Sequence, residues 1–368
     1  MSASPFAEAS AHSHGELLTL GVEEEFLLLD AVTGEVAPVA PQVLTLLSGE
    51  PGIKHEFMRY QLETTSGICT TLDEVYRDIT RLREIAADAT AQLGYLLVAS
   101  GVVPLSVPGL SALTDDPRYD ELARRYPLQA AGCGTCACHV HIGIPSRELG
   151  VQVLARLRPW LATLLALTAN SPIADGRDTS WSSWRYRRWR QWPSAVPPRA
   201  WRDVRAYDAA VHNFIRGGRA LDERGIYFHA RLSPRYPTVE VRIMDACLTS
   251  EDTLLAVALV RGLVAAALDE ARKGLPVEHC GRIAAGLASA AHHGLDGEVK
   301  DPHTGCALRQ RDLTNALLNR ITDAEPVAQL LDRLHAHGTG AARQRAMWSK
   351  AAELREFTRL LAEATRAR

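Results

Sequence analysis

The segment LTLGVEEEFLLLD, residues 18–30, sets three consecutive glutamates in an apolar run short enough to be a strand covered on both faces. An ionised carboxylate removed from water costs several kcal/mol unless a cation neutralises it, so three in such a place require partners. Alternation along a strand puts Glu23 and Glu25 on one face, roughly 7 Å apart, and turns Glu24 to the other. Such a pair suits a divalent metal or two arginines. CHVHIG places His139 and His141 on one strand face, where both imidazoles can approach one centre. Half-buried histidines satisfied by backbone carbonyls are the plainer alternative. TVEVRIMD sets Glu240 and Arg242 on a polar face against Val239, Val241 and Ile243, as part of a site or as a surface ion pair on an edge strand. QLETTSG adds Glu63. Glu56 precedes it by seven residues, a spacing that aligns two side chains on a helix and opposes them on a strand, so Glu56 is the weaker candidate.

A carboxylate-rich set with one histidine favours magnesium, with tolerance of manganese; zinc on H-x-H would need further His or Asp ligands. Cys133 and Cys136 have C-x-x-C spacing but no second pair to complete a zinc site, and read as incidental thiols. SWSSWRYRRWRQWP interleaves five tryptophans or tyrosines with Arg185, Arg187, Arg188 and Arg190. Stacking on single-stranded nucleic acid is one use of that pattern; a mobile loop, Asp175 to Trp201, offering arginines to phosphates is the other and fits the overall charge better. No Walker A motif or dinucleotide fingerprint occurs, so a nucleotide would need another architecture.

These residues must be positioned by elements far apart in the chain. The pattern predicts strands at 18–30, YLLVASG, CHVHIGIPS and TVEVRIMDA, and helices at 41–48, 72–93, 151–169 and 203–215. IKHEFMRYQLETTSG is ambiguous, and from Ser250 the chain reads as nearly all helix. Dispersed strands with helices between and after them predict an α+β fold, helices packed on one face of a mostly antiparallel sheet. Residues 1–16 read as a disordered lead-in and 17–368 as a single domain.

Composition narrows the function. With 41 Lys and Arg against 43 Asp and Glu, the net charge of −2 gives no basic field for nucleic acid. The start MSASPFAEASAHSHGE lacks signal-peptide character, and the most apolar helix carries Arg261 within it, so a cytoplasmic protein with no membrane partner is expected. Seven cysteines give no disulfide framework.

GVEEEF, QLETTSG, CHVHIG, SPRYPTVEVRIMD and the C-terminal GTGAARQR, in this order over almost the whole chain, resemble the glutamate-cysteine ligase type 2 family of carboxylate-amine ligases. The resemblance implies a fold related to glutamine synthetase and glutamate-cysteine ligase, whose curved, mostly antiparallel sheet holds ATP and divalent metals. It also implies a reaction joining an amine to a carboxylate, with ADP and phosphate released. By position, Glu23, Glu25, Glu63, His141 and Glu240 match the metal shell, with Glu56 a further member. Arg242 matches a contact to phosphate or substrate carboxylate, and Arg185 and Arg231 match further anion contacts. The resemblance thus makes Arg242 and Arg185 the catalytic pair, and all three arginines the ATP contacts. The implied cofactors are ATP and Mg2+ or Mn2+. The implied partners are a small-molecule carboxylate, such as glutamate, and an amine, such as cysteine; a homodimer is compatible. Two other readings stay open: a metal-dependent amidase or hydrolase using His139 and His141, and a non-catalytic nucleotide-binding relative.

Overall fold

Eleven residues of extended chain, Leu20–Asp30 (β1), form the expected glutamate-bearing strand, inside a seven-stranded sheet. The computed structural model describes residues 18–277, 281, 283–300, 305–321 and 324–367; the expected lead-in at 1–16 lies outside the described residues. The further strands are β2 (Ile53–His55), β3 (Gln61–Thr65), β4 (Tyr95–Val98), β5 (Cys138–Gly143), a small hairpin of β6 (Ile173–Ala174) and β7 (Arg177–Asp178), then β8 (Ala230–Leu232) and β9 (Thr238–Val241), and a separate antiparallel pair, β10 (Glu298–Lys300) and β11 (Ala307–Arg309). The sheet runs β2-β3-β1-β5-β9-β8, with β4 also paired to β1, and every pairing is antiparallel. The ambiguous segment is therefore two strands, and the last predicted strand ends at Val241, so Arg242 stands just past it.

The helices are α1 (Ala40–Leu46), α2 (Leu72–Gln92), α3 (Pro117–Arg125), α4 (Pro127–Ala131), α5 (Arg147–Leu157), α6 (Leu161–Thr168), α7 (Trp184–Trp189), α8 (Val204–Arg216), α9 (Ser250–Arg272), α10 (Ile283–His293), α11 (Gln310–Arg320), α12 (Ala324–His337), α13 (Gly340–Lys350) and α14 (Leu354–Arg366). A capping box starts α2: Thr71 accepts from the Glu74 amide, and Glu74 accepts from that of Thr71. Thr249 and Asp252 do the same for α9, whose Leu254, Val257, Leu259, Val260 and Leu263 are buried. No helix among the described residues is long and apolar enough to cross a membrane. The six described cysteines are free.

Glu24 shows which side of the sheet the helices cover. Its carboxylate receives Arg83 of α2 through Nε at 3.0 Å and Nη2 at 2.6 Å, and the Thr253 hydroxyl of α9 at 2.6 Å. Arg83 also donates to the carbonyls of Cys247, Leu248 and Thr365, the last on α14. One buried ion pair thus ties β1 to three helices, leaving the opposite face, with Glu23 and Glu25, for chemistry.

The segment from Asp175 to Trp201 departs from expectation. It contains α7, capped by Ser183, and it buries Arg185, Tyr186, Trp189 and Trp192. Trp189 and Tyr186 pack on the His229 ring, and Trp192 packs on Tyr126 and Tyr227. Its aromatics are packed into a wall of the site, and the mobility expected of the segment is tested by proteolysis. Limited trypsin digestion of the unliganded protein should leave the arginines of α7 uncut while exposed sites are cleaved. Fast cleavage there, suppressed by ATP, would restore the mobile cover.

Candidate active site

Antiparallel register brings the predicted residues together. Across β1 and β5, Glu23 lies opposite His139 and Gly21 opposite His141; across β5 and β9, His141 lies opposite Glu240. Glu25 faces Glu63 across β1 and β3, and Arg231 faces Glu240 across β8 and β9. Alternation puts all of these on one face, under a cavity of about 300 Å³.

Glu23, His141 and Glu240 each present a ligand atom within 4.8 Å of the others. His141 Nδ1 is 3.0 Å from the Thr238 hydroxyl, which orients the ring, while its buried Nε2 has no hydrogen-bond partner. Burial opposes ionisation of Glu23, but His139 and His141 outweigh it and hold its pKa well below the usual carboxylate range. Glu240 is likewise held low against burial, by Arg231 and Arg242. Burial works against a charge on His141, and Glu23 and Glu240 more than offset it, raising its pKa. Two ionised carboxylates and an orphaned imidazole nitrogen form a donor set that fits a hard or borderline divalent cation.

Beside this triad, three carboxyls crowd together with little to neutralise them. Burial and Glu63 push Glu25 up to about 7 against the pull of Arg185. Burial and Glu25 push Glu56 up to about 7. Burial, Glu23 and Glu56 push Glu63 well above its ordinary value, although Lys54 lies 2.9 Å away. Glu56, the weaker candidate by spacing, therefore belongs with Glu25 and Glu63: it stands just past β2, where helix or strand periodicity no longer governs it. Like-charged groups so placed must share protons or take up a cation.

The arginines divide. Arg231 commits Nε at 2.7 Å and Nη2 at 3.2 Å to Glu240, and Nη1 to the carbonyls of Arg224 and Ile226. Arg242 meets Glu240 through Nη1, and its buried Nε has no partner. Arg185 donates to the carbonyls of Ile243 and Arg242 at 3.1 and 3.2 Å and lies 5.0 Å over the Trp189 ring; its buried Nε is also unpartnered. Arg185 and Arg242 retain donors for an incoming anion, whereas Arg231 is largely consumed in holding Glu240.

His139 and His141 are no free ligand pair. His139 Nδ1 is 3.1 Å from Glu23, its Nε2 is 3.9 Å from Glu25, and burial with the nearby Arg242 lowers its pKa to about 4. The ring is engaged between two carboxylates, which counts against the hydrolase reading. Sequence reasoning missed Lys54, which faces Glu63 only through the β2–β3 register, and the cavity-lining Arg118, Tyr119 and Tyr227. Arg118 is bound to Asp222 at 2.8 and 2.9 Å, 104 residues away, a pairing no local pattern reveals.

The profile of the glutamate-cysteine ligase family 2 matches residues 19–359. A protein of Salinispora arenicola provisionally named glutamate-cysteine ligase 2 is 42% identical over 347 residues, 91% of each chain. One of Rhodococcus jostii, provisionally named glutamate-cysteine ligase 2-1, is 40% identical over 96% of this chain and 98% of its own. Among solved structures, the glutamate-cysteine ligase of Francisella tularensis in complex with AMP aligns with a TM-score of 0.67 at 14% identity, over 95% of this chain and 89% of that one. A bifunctional glutathione synthetase of Pasteurella multocida aligns with the same TM-score and identity, over 95% of this chain and 51% of that one. At such identities the likeness is one of fold, and it matches the α+β sheet expected from the sequence.

Proposed function

From the premise that this chain belongs to glutamate-cysteine ligase family 2, we propose that it is an ATP-dependent ligase joining the carboxylate of a glutamate-type acid to an amine such as cysteine. The observation that carries this reading is the juxtaposition of a cation-type donor set, Glu23, His141 and Glu240, with the unpartnered donors of Arg185 and Arg242 in one cavity. A site built for cations and anions at once suits a metal-bound polyphosphate. The six described cysteines, all free, support placement in a reducing cytoplasm.

A free carboxylate resists attack by an amine until its oxygen is activated; here it takes the γ-phosphoryl of ATP, giving an acyl phosphate and ADP. The amine then displaces phosphate and forms the amide. Glu23, His141 and Glu240 would hold one divalent cation, and Glu25, Glu63 and Glu56 a second. Mg2+ or Mn2+ held there would supply positive charge to offset that of the phosphate oxygens. Arg242 and Arg185 donate to the charge that develops on that group, and Arg231 keeps Glu240 ionised and oriented. Trp189 and Trp192 wall the site against water.

Incubation with Mg2+, ATP, hydroxylamine and a panel of acids led by glutamate should yield a hydroxamate with equimolar ADP and phosphate. AMP and pyrophosphate formed in step with hydroxamate would move the attack to the α-phosphate and overturn the acyl phosphate. Amide hydrolysis without ATP would favour the hydrolase reading.

A further inference from the structure

Asp245 is the next-to-last residue of the TVEVRIMDA segment, yet it has no part in the reading above. It is 0% exposed. Its Oδ2 accepts from the Asn170 amide at 2.9 Å and the Ser171 hydroxyl at 2.6 Å; its Oδ1 accepts from the Ser183 hydroxyl at 2.8 Å and lies 3.8 Å from Arg185 Nη1. The serine hydroxyls have no choice of direction. Ser171 Oγ already accepts from the Arg185 amide and Ser183 Oγ from the Tyr186 amide, at 3.1 and 3.2 Å, so each gives its single O–H to Asp245. One carboxylate thereby fixes, through two hydroxyls, the first turn of α7, and it faces the guanidinium that this turn carries. The chain packs closely behind it: a β-carbon on Gly101 would come 2.8 Å from the Asp245 carboxyl, so position 101 has no room for a side chain.

The C-terminal GTGAARQR motif lies behind this arrangement. Gln344, fully buried on α13, donates to Asn170 at its carbonyl and its Oδ1, both at 2.8 Å. Ala341 donates its amide to the Ala169 carbonyl at 2.8 Å, and a β-carbon on Gly340 would run into the Asn170 side chain. Asn170 in turn gives Asp245 its amide. On the other side, Asp245 bridges to Ala137, whose amide donates to Glu25 at 2.8 Å.

We propose that Asp245 is a positioning residue: with Ser171, Ser183 and the Asn170–Gln344 support, it holds the Arg185 guanidinium where charge develops on the transferring phosphoryl. The inference rests on the ligase reading. It makes the C-terminal motif, distant in sequence from every metal or anion contact, part of the scaffold for one of them. Asp245 acts through Arg185, so removing its charge should slow the chemical step more than it weakens binding.

The test is a double-mutant cycle on hydroxamate formation, measuring kcat and the KM values for ATP and acid in wild type, Asp245→Asn, Arg185→Gln and the double variant, with thermal melts of each. Asp245→Asn should lower kcat by about 10- to 100-fold, as loss of a supporting contact does, with KM for ATP little changed. The double variant should be no slower than Arg185→Gln, because the two losses are one loss. Losses that multiply, or a lower melting temperature at full kcat, would overturn the proposal. Should Asp245→Asn fail to fold, Ser183→Ala and Ser171→Ala each remove one bond to the carboxylate and carry the same test: smaller losses of kcat, absent in the Arg185→Gln background. Wild type releasing no ADP with any acid would sink the ligase reading, and this inference with it; an active wild type with multiplying losses sinks the inference alone.

Discussion

Glu23→Gln is expected to lower kcat/KM by about 10²–10³-fold, the range for losing one preorganised electrostatic contact, and to weaken Mn2+ binding seen by electron paramagnetic resonance. The substitution keeps the shape of the side chain and removes its charge. In the folded protein that charge is shared by both imidazoles, His139 Nδ1 at 3.1 Å and His141 Nε2 at 3.7 Å, and lies within 4.8 Å of Glu240 across the triad. A glutamine oxygen can still meet His139, so the sheet has no cause to unfold; the side chain, at 19% exposure, reaches the cavity and is not sealed beneath it. The far-ultraviolet dichroism and the melting temperature should stay close to wild type. Wild-type Mn2+ affinity in the variant would remove Glu23 from the metal shell, and with it the triad.

The alternation of Glu23, Glu24 and Glu25 was legible because a strand has a period of two and the apolar residues around the triplet leave no helical alternative. The α+β class and several element boundaries were legible for similar local reasons: α2 and α9 begin at capping boxes, and the α8 pattern has a clear apolar stripe. What the chain does not display is pairing across distance. Arg231 was expected to touch an anion; only the β8–β9 register reveals that Glu240 stands opposite and takes its Nε and Nη2. Lys54 reaches Glu63 by the same kind of register. The aromatic-basic segment misled for a different reason. Prolines, serines and arginines read locally as a loop, while the bonds that pin it, from Ser183 to Asp245 and from Asp178 to Arg345, join it to residues 62 and 167 positions away. The resemblance to a ligase family placed the candidate residues, but their division into a donor triad that fits a cation, a crowded carboxyl cluster and two open arginines needed the fold.

One residue along β1, Glu24→Gln should give the opposite phenotype: a loss of about 3–5 kcal/mol in stability, the range for breaking one side of a buried ion pair, with metal affinity and KM unchanged. A melting temperature roughly 10 °C lower would follow at a few degrees per kcal/mol. Both side chains are sealed, Arg83 at 2% and Glu24 at 1% exposure, so the guanidinium of Arg83 could not recover its lost partner from water. Its remaining acceptors, the carbonyls of Cys247, Leu248 and Thr365 and the Thr253 hydroxyl, carry no net charge to oppose its own. Denaturant melts beside Mn2+ titrations of the Gln variants at 23 and 24 separate the two faces: equal loss of metal affinity at both would contradict the strand geometry on which the site rests. Replacing the pair together, Glu24→Leu with Arg83→Met, should regain part of the loss, since no unpaired charge is then buried. Recovery should stop short of wild type, because three carbonyls and the Thr253 hydroxyl would lose their partners inside the core.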